Sequence, residues 1–447
     1  MQIQKYETVT VALRRRVALA LVSVGLLSTT VPVPAIAQQG SGAAAVASMS
    51  PASTPRISLA EAVALALDVN PELSASRREI AAAAGQIVQS RTRPNPELGY
   101  SLEDTQSRTR TQSLQINWPI EMGGKRDARV NVAERNHDVA GADFDTRRAD
   151  IRASVIAAYF EVLTAEERVA LALASEELAD KATDVVSKRV LAGKVSPVEE
   201  TKSRVAGAGL RIESSQATGE LRAAKLRLAS LLGRDAVDVE VNSSVADAIP
   251  FLPSTNALRD RLRASPTIRR AQLEIQRRSA IVSLERSKAM PDITLSLGVK
   301  RPNELQRNQI LLGISVPLPV FDRNHGNVLE AIQREEKARD ELAAVNTKIT
   351  TEVMQARERL ATARDQLGVL VRTILPGAKS AYDAARVGFE NGKFSFLDVL
   401  DAQRTYFASK SQYIRTVSEV HRADADIDRI LGDDAATPTF SGSQVIK

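Results

Sequence analysis

Two carboxylates, Asp398 and Asp401, stand three positions apart in "SFLDVLDA". On a helix that spacing puts both on one face, where a pair of acids can attract cations. Asp398 also follows Ser395 by three positions, the spacing of a capping box, in which side chain and backbone satisfy each other's free donors. Asp401 has no such structural duty. Little else in the chain offers chemistry. With no Cys, disulfides, thiolate catalysis and thiolate metal ligation are excluded. The three His, at 137, 325 and 421, are scattered and form no pair at ligand spacing. "MGGKRDAR" (122–129) carries a Gly pair and basic residues but lacks the spacing and following Ser/Thr of a phosphate loop. No nucleophile elbow or HExxH occurs. The expectation is therefore a non-enzyme with no catalytic residue, cofactor or resident metal.

The elements that position the acids come in two copies. "GKFSFLDVLDA" (392–402) has a twin in "GKVSPVEETKS" (193–203), 199 residues upstream. Asn70-Pro71 falls on Ser265-Pro266 and Pro96 on Pro291 at an offset of 195, Pro119 on Pro317 at 198, and "LLG" (231–233) on "ILG" (430–432) at 199. Ordered landmarks with a slowly drifting offset read as a tandem duplication. Each copy opens with a helical region, which "SLAE" (58–61) caps in the first. Two period-two rows follow, such as Leu114, Ile116, Trp118 and Ile120, or Ile310, Leu312, Ile314, Val316 and Leu318, each the signature of a strand with one apolar face. Long helical tracts come next, roughly 124–192 and 325–390. Ile349, Val353, Ala356, Leu360, Ala363, Leu367, Leu370 and Ile374 step by four and three, as in a coiled-coil seam. Each tract ends at a Gly-Lys-x-Ser turn, where Ser196 and Ser395 are predicted N-caps and Glu199 and Asp398 complete the boxes. The twin turns mark two helical hairpin tips.

At the N-terminus, Lys5 and Arg14–Arg16, an apolar run over Val17–Leu27 and "PVPAIA" predict a signal peptide cleaved after Ala37. Its removal takes away four basic groups and one acid, lowering the formal charge from +6 to +3, so the basic balance gives no reason to expect nucleic acid. No Cys follows the signal, so no lipid anchor is expected. The predicted organisation is a signal peptide (1–37), a flexible linker (38–55), a first repeat (56–233), a connector (234–256), a second repeat (257–432) and a tail (433–447).

Four amphipathic strands cannot close on themselves, and lipid tolerates no open edges. Either several chains share a barrel or the strands form a small soluble sheet against helices. The motifs "RPNPELGYSLED" (93–104), "PIEMGGKRDARVNVAE" (119–134) and "VPLPVFDRNHGNVLEA" (316–331) resemble the TolC-like outer-membrane efflux proteins over about 58–432, and more specifically their CzcC-like heavy-metal branch. The resemblance implies an α+β membrane protein in which three chains, each giving four strands, build a twelve-stranded outer-membrane β-barrel on a periplasmic coiled-coil tunnel. The expected partners are two further copies, a periplasmic adaptor, an inner-membrane RND pump and outer-membrane lipid. The expected function is a passive exit duct, most simply for heavy-metal cations. Drug efflux or type I protein secretion are alternatives within that class, and a periplasmic coiled-coil scaffold is the alternative outside it. The resemblance also implies that Asp398 and Asp401 ring the periplasmic gate. Gly193, Lys194, Ser196, Gly392, Lys393 and Ser395 would lie at adaptor-docking tips, flanked by apolar Val195, Phe394 and Phe396. Phe389 and Phe394 stand where the family carries polar gate-locking residues.

Overall fold

The computed structural model describes residues 56–432 except 105, 234–239, 243–248, 392 and 395. The expected signal peptide, linker and tail lie outside these residues, as do most of the connector and two tip positions, Gly392 and Ser395. Chain order runs α1 (Leu59–Val69), α2 (Pro71–Ser90), β1 (Glu97–Glu103), β2 (Thr111–Ile120), α3 (Lys125–Leu191) and α4 (Pro197–Leu231). It continues with α5 (Thr255–Leu262), α6 (Pro266–Lys288), β3 (Ile293–Pro302), β4 (Gln309–Ser315), α7 (His325–Val369), a π-helical turn (Leu370–Ile374), α8 (Leu375–Glu390) and α9 (Phe396–Leu431).

Local chemistry sets most boundaries. The Ser58 hydroxyl accepts from Glu61 N–H while the Glu61 carboxylate accepts from Ser58 N–H, a complete capping box at the start of α1. Asn70 ends α1 and caps α2, with Pro71 at the first helical position, where its missing N–H costs nothing. At the β2–α3 turn, Gly123 and Gly124 both take positive φ, near +70°. A Cβ on Gly123 would also strike Met290 at 2.8 Å, so the Gly pair is a steric requirement of the turn. Lys125 Nζ and Met122 N–H both bond Asp292 Oδ1, at 2.7 and 3.0 Å, tying that turn to the start of β3.

α3 runs for 67 residues, about 100 Å at 1.5 Å per residue. The second long tract is interrupted. Leu370 to Ile374 form the π turn, immediately before Pro376, whose ring would otherwise meet the carbonyl four residues back. The predicted apolar row stays buried from Ile349 to Leu370, but Ile374 is exposed, so the seam stops where the helix changes winding. Two apolar cores form, one per half. Val155, Tyr159, Val162 and Leu228 centre the first; Val353, Leu360, Leu258 and Val420 centre the second.

The expectation of strands built into a closed twelve-stranded barrel is corrected here. The chain is mostly helical, and its strands form one open antiparallel sheet in the order β1-β2-β3-β4. β1 and β4 each have one neighbour. Four strands of 7, 10, 10 and 7 residues, each rotated only about 20–25° from the next, cannot curl back to pair those edges. The fourth row is also shorter than expected. β4 ends at Ser315, because Pro317 has no N–H for a ladder, leaving Val316 and Leu318 outside it. Among the described residues, no helix is long and apolar enough to cross a membrane.

Candidate functional site: sheet face, hairpin tips and acidic helix start

Register gathers the apolar rows onto one side of the sheet. Leu98, Ile116, Leu297 and Leu312 align across the four strands, as do Tyr100, Leu114, Val299 and Ile310. Trp118, Leu295 and Ile314 make a third row. All are solvent-exposed in the isolated chain, Leu312 at 79%. The other side is polar. Asn117 Oδ1 accepts from Ser296 Oγ at 2.8 Å and from Gln115 Nε2 at 3.2 Å, and the Ser101 and Ser113 hydroxyls meet at 2.6 Å. Gly298 is squeezed on this polar side, where a Cβ would sit 2.7 Å from the Gln115 Cβ. A sheet with one continuous uncovered apolar face suits contact with an apolar medium on that side.

At the far end of α3, Gly193 turns the chain with φ +61°, a conformation that costs a residue with a Cβ. Lys194 N–H reaches back to the Arg189 carbonyl at 2.9 Å. Ser196 caps α4 by accepting from Val198 N–H at 3.3 Å. The predicted capping box is not completed: the Glu199 carboxylate turns instead to Lys202, 3.3 Å away. Gly193, Lys194 and Ser196 are exposed, whereas Val195 is half-buried. At the second tip Lys393 is exposed and its N–H bonds the Gly388 carbonyl at 2.8 Å. The Phe394 ring packs so closely on Gly388 that a Cβ there would lie 2.1 Å from it, yet 49% of Phe394 stays exposed. The Phe396 side chain lies outside the described residues.

The structure adds a contact that spacing did not show. The Arg189 guanidinium, in the last turn of α3, stands 4.8 Å over the Phe389 ring at the end of α8. Arg189 was unremarkable in sequence because nothing local links positions 200 residues apart.

Asp398 and Asp401 lie exposed in the first turns of α9. Among the described residues the Asp401 side chain makes no hydrogen bond or ion pair; its carbonyl accepts from Thr405 Oγ1 at 3.0 Å. One turn further on, Tyr382 of α8 stacks on Tyr406 of α9, 5.9 Å apart and 5° from parallel, holding the α8–α9 hairpin together behind the acids. Near the other end of α9, His421 and Asp424 are shielded. Burial lowers the His421 pKa to about 4. Burial, then the Asp428 charge, raise that of Asp424 to about 7. Among the described residues, no cluster of His, Asp and Glu could hold a metal ion.

The chain thus joins an exposed apolar sheet face, long helices leading from it, and acids beside the hairpin tips. The sequence profile of the outer membrane efflux protein family matches residues 62–234 and 257–433. The chain is 43% identical over 376 residues to the cobalt-zinc-cadmium resistance protein CzcC of Cupriavidus metallidurans, covering 84% of this chain and 90% of that protein. It is 26% identical over 308 residues to the nickel-cobalt-cadmium resistance protein NccC of Alcaligenes xylosoxydans xylosoxydans, covering 67% and 68%. Its fold matches the Campylobacter jejuni CmeC outer membrane channel with a TM-score of 0.73 at 16% identity, covering 91% and 94%. The two-part profile match and the long, close likeness to one relative place the chain in the outer membrane efflux protein family, as an exit duct of the outer membrane and not an enzyme.

Proposed function

We propose that this chain is the outer-membrane component of a tripartite RND-type efflux system whose cargo is heavy-metal cations. The observation that carries the cargo is the 43% identity, over 90% of its length, to a cobalt-zinc-cadmium resistance protein. In this reading the working unit is a homotrimer. Its apolar sheet faces contact lipid, and its helices run through the periplasm to meet an adaptor and, through it, an inner-membrane pump. The pump supplies the energy, so the duct needs no cofactor.

Asp398 and Asp401 are the proposed gate residues. Three copies bring six carboxylates around one axis, which concentrates cations at the entrance and disfavours anions. Gly193, Lys194, Ser196, Gly392, Lys393 and Ser395 are the proposed docking positions; the half-exposed Phe394 supports a partner surface there. The two repeats are proposed as 56–233 and 257–432.

The test is deletion of the gene followed by growth across zinc, cadmium, cobalt, nickel, copper and silver beside a panel of antibiotics, with complementation. Sensitivity confined to metals and restored by the wild-type gene is expected. Sensitivity to antibiotics alone would keep the duct and discard the metal cargo.

A further inference from the structure

Near its C-terminal end α9 meets three other helices through a cluster of charges. Asp424 and Asp428 stand one turn apart on α9, a spacing that brings like charges together. Facing them are Arg152 of α3, Arg364 of α7 and Arg261 of α5. Arg152 Nη2 lies 3.5 Å from Asp428 Oδ2, both side chains mostly shielded. Arg364 carries a buried Nη1 that no acceptor reaches among the described residues. His421, one turn before Asp424, is buried against Phe160 of α3. The neighbouring charges are engaged in their own pairs, Arg429 with Asp150 at 3.5 Å and Arg359 with Asp426 at 2.7 Å. A cavity of about 210 Å³ lined by Arg152, Asp428 and Arg429 abuts the cluster and is large enough to admit water.

The first half of the chain makes the same helix–helix contact with the charges exchanged. There Lys225 of α4 pairs with Glu166 of α3 at 3.4 Å. Arg364 stands 198 positions after Glu166, and Asp424 stands 199 after Lys225, which are the offsets of the duplication. The position matching Asp428 is Ala229. At this contact the second copy, unlike the first, sets an acid beside another acid.

We propose that Asp424 is a proton-operated brace for α9: protonated, it lets α9 seat firmly against α3 and α7; ionised, it loosens the end of α9 around 417–431 and leaves the matching contact in the first half unchanged. The direction follows from linkage. Burial and Asp428 raise the Asp424 pKa from 3.8 to about 7 against the pull of Arg152 and Arg364. The folded chain thus keeps a proton that the unfolded chain has lost. That contribution to stability is whole at low pH and disappears as pH rises through about 7. The brace acts independently of the cargo and of the gate.

Hydrogen–deuterium exchange on the full protein, purified from outer membranes in detergent, tests it. Exchange times are scaled for the intrinsic pH dependence between about pH 6 and pH 8, the window that brackets the titration. Wild-type peptides over 417–431 should exchange several-fold faster at the higher pH, while α4 peptides around Lys225 stay level. Asp424→Asn, which mimics the protonated acid in shape, should hold slow exchange at both. Asp428→Asn removes the repelling charge and should move the midpoint to lower pH. A level wild-type profile, a transition kept in Asp424→Asn, an unmoved midpoint in Asp428→Asn, or an equal transition in α4 would each overturn the proposal.

Discussion

The His421 imidazole lies flat on the Phe160 ring, with centroids 4.0 Å apart and planes 9° from parallel. Phe160 belongs to α3 and His421 to α9, so the stack joins the two halves of the chain inside the helical body. Its burial keeps the imidazole neutral and holds its pKa near 4, below the ordinary 6.5. The unfolded chain binds that proton earlier. The stabilisation is therefore whole above about pH 6.5 and is lost as pH falls toward 4, a loss of about 3 kcal/mol at 1.36 kcal/mol per unit. Asp424 acts with the opposite sign over the same range, so the measurement belongs in an Asp424→Asn background. Thermal unfolding there should show a midpoint falling between about pH 6.5 and pH 4, the window set by the two pKa values. His421→Phe should flatten it, and an unflattened slope would remove His421 as the cause.

Arg189 and Phe389 supply a cross-tip contact at a position where the family carries polar gate-locking residues and this chain carries Phe. A cation over a partly exposed ring contributes about 0.5–1 kcal/mol, a several-fold change in an opening equilibrium. Arg189→Ala should raise the resting conductance of the protein in planar bilayers. Arg189→Lys should recover part of the closure. Equal conductance in wild type and Arg189→Ala would show that the contact does not hold the tips.

Asp401, whose side chain has no partner among the described residues, offers its charge to whatever passes the start of α9. Asp401→Asn should lower the cation-over-anion permeability ratio, read as a reversal potential closer to zero across a salt gradient. The effect should shrink at high ionic strength, where the Debye length falls to about 3 Å at 1 M. A reversal potential that does not move would take Asp401 out of the conduction path.

The two faces of the sheet predict opposite tolerances. Ile116→Arg puts a charge on the apolar face, where such changes cost about 2–4 kcal/mol in lipid, and should deplete the protein from the outer-membrane fraction. Gln115→Arg, one residue away on the polar face, should leave its abundance near that of wild type. Equal depletion by both would argue that the apolar face does not meet lipid.

What could be read from the sequence was what is local. Ser58 and Glu61 form their capping box because its partners lie three residues apart. The strands lie on the period-two rows because alternating side chains must point to opposite faces. What escaped depends on closure of the chain in space. The choice of Lys202 over a capping role by Glu199 and the Arg189–Phe389 contact are set by neighbours distant in sequence or competing in space. The π turn before Pro376 had a local signal in "LPG" (375–377), but the apolar row continued across it and concealed the break. Asp424 and Asp428 carried a weaker sign, two acids one turn apart on a mostly apolar helix face.

The exchanged charges of Glu166–Lys225 and Arg364–Asp424 bear on how the chain finds its own pairing. Two repeats of one ancestral hairpin risk swapping strokes, with the return helix of one docking on the outgoing helix of the other. In that misassembled register Lys225 would meet Arg364, a repulsion in place of its attraction to Glu166, and Asp424 would lose the pull of Arg364 and face Glu166 instead. The reversed polarity thus works as an address, telling each returning helix which half of the molecule is its own.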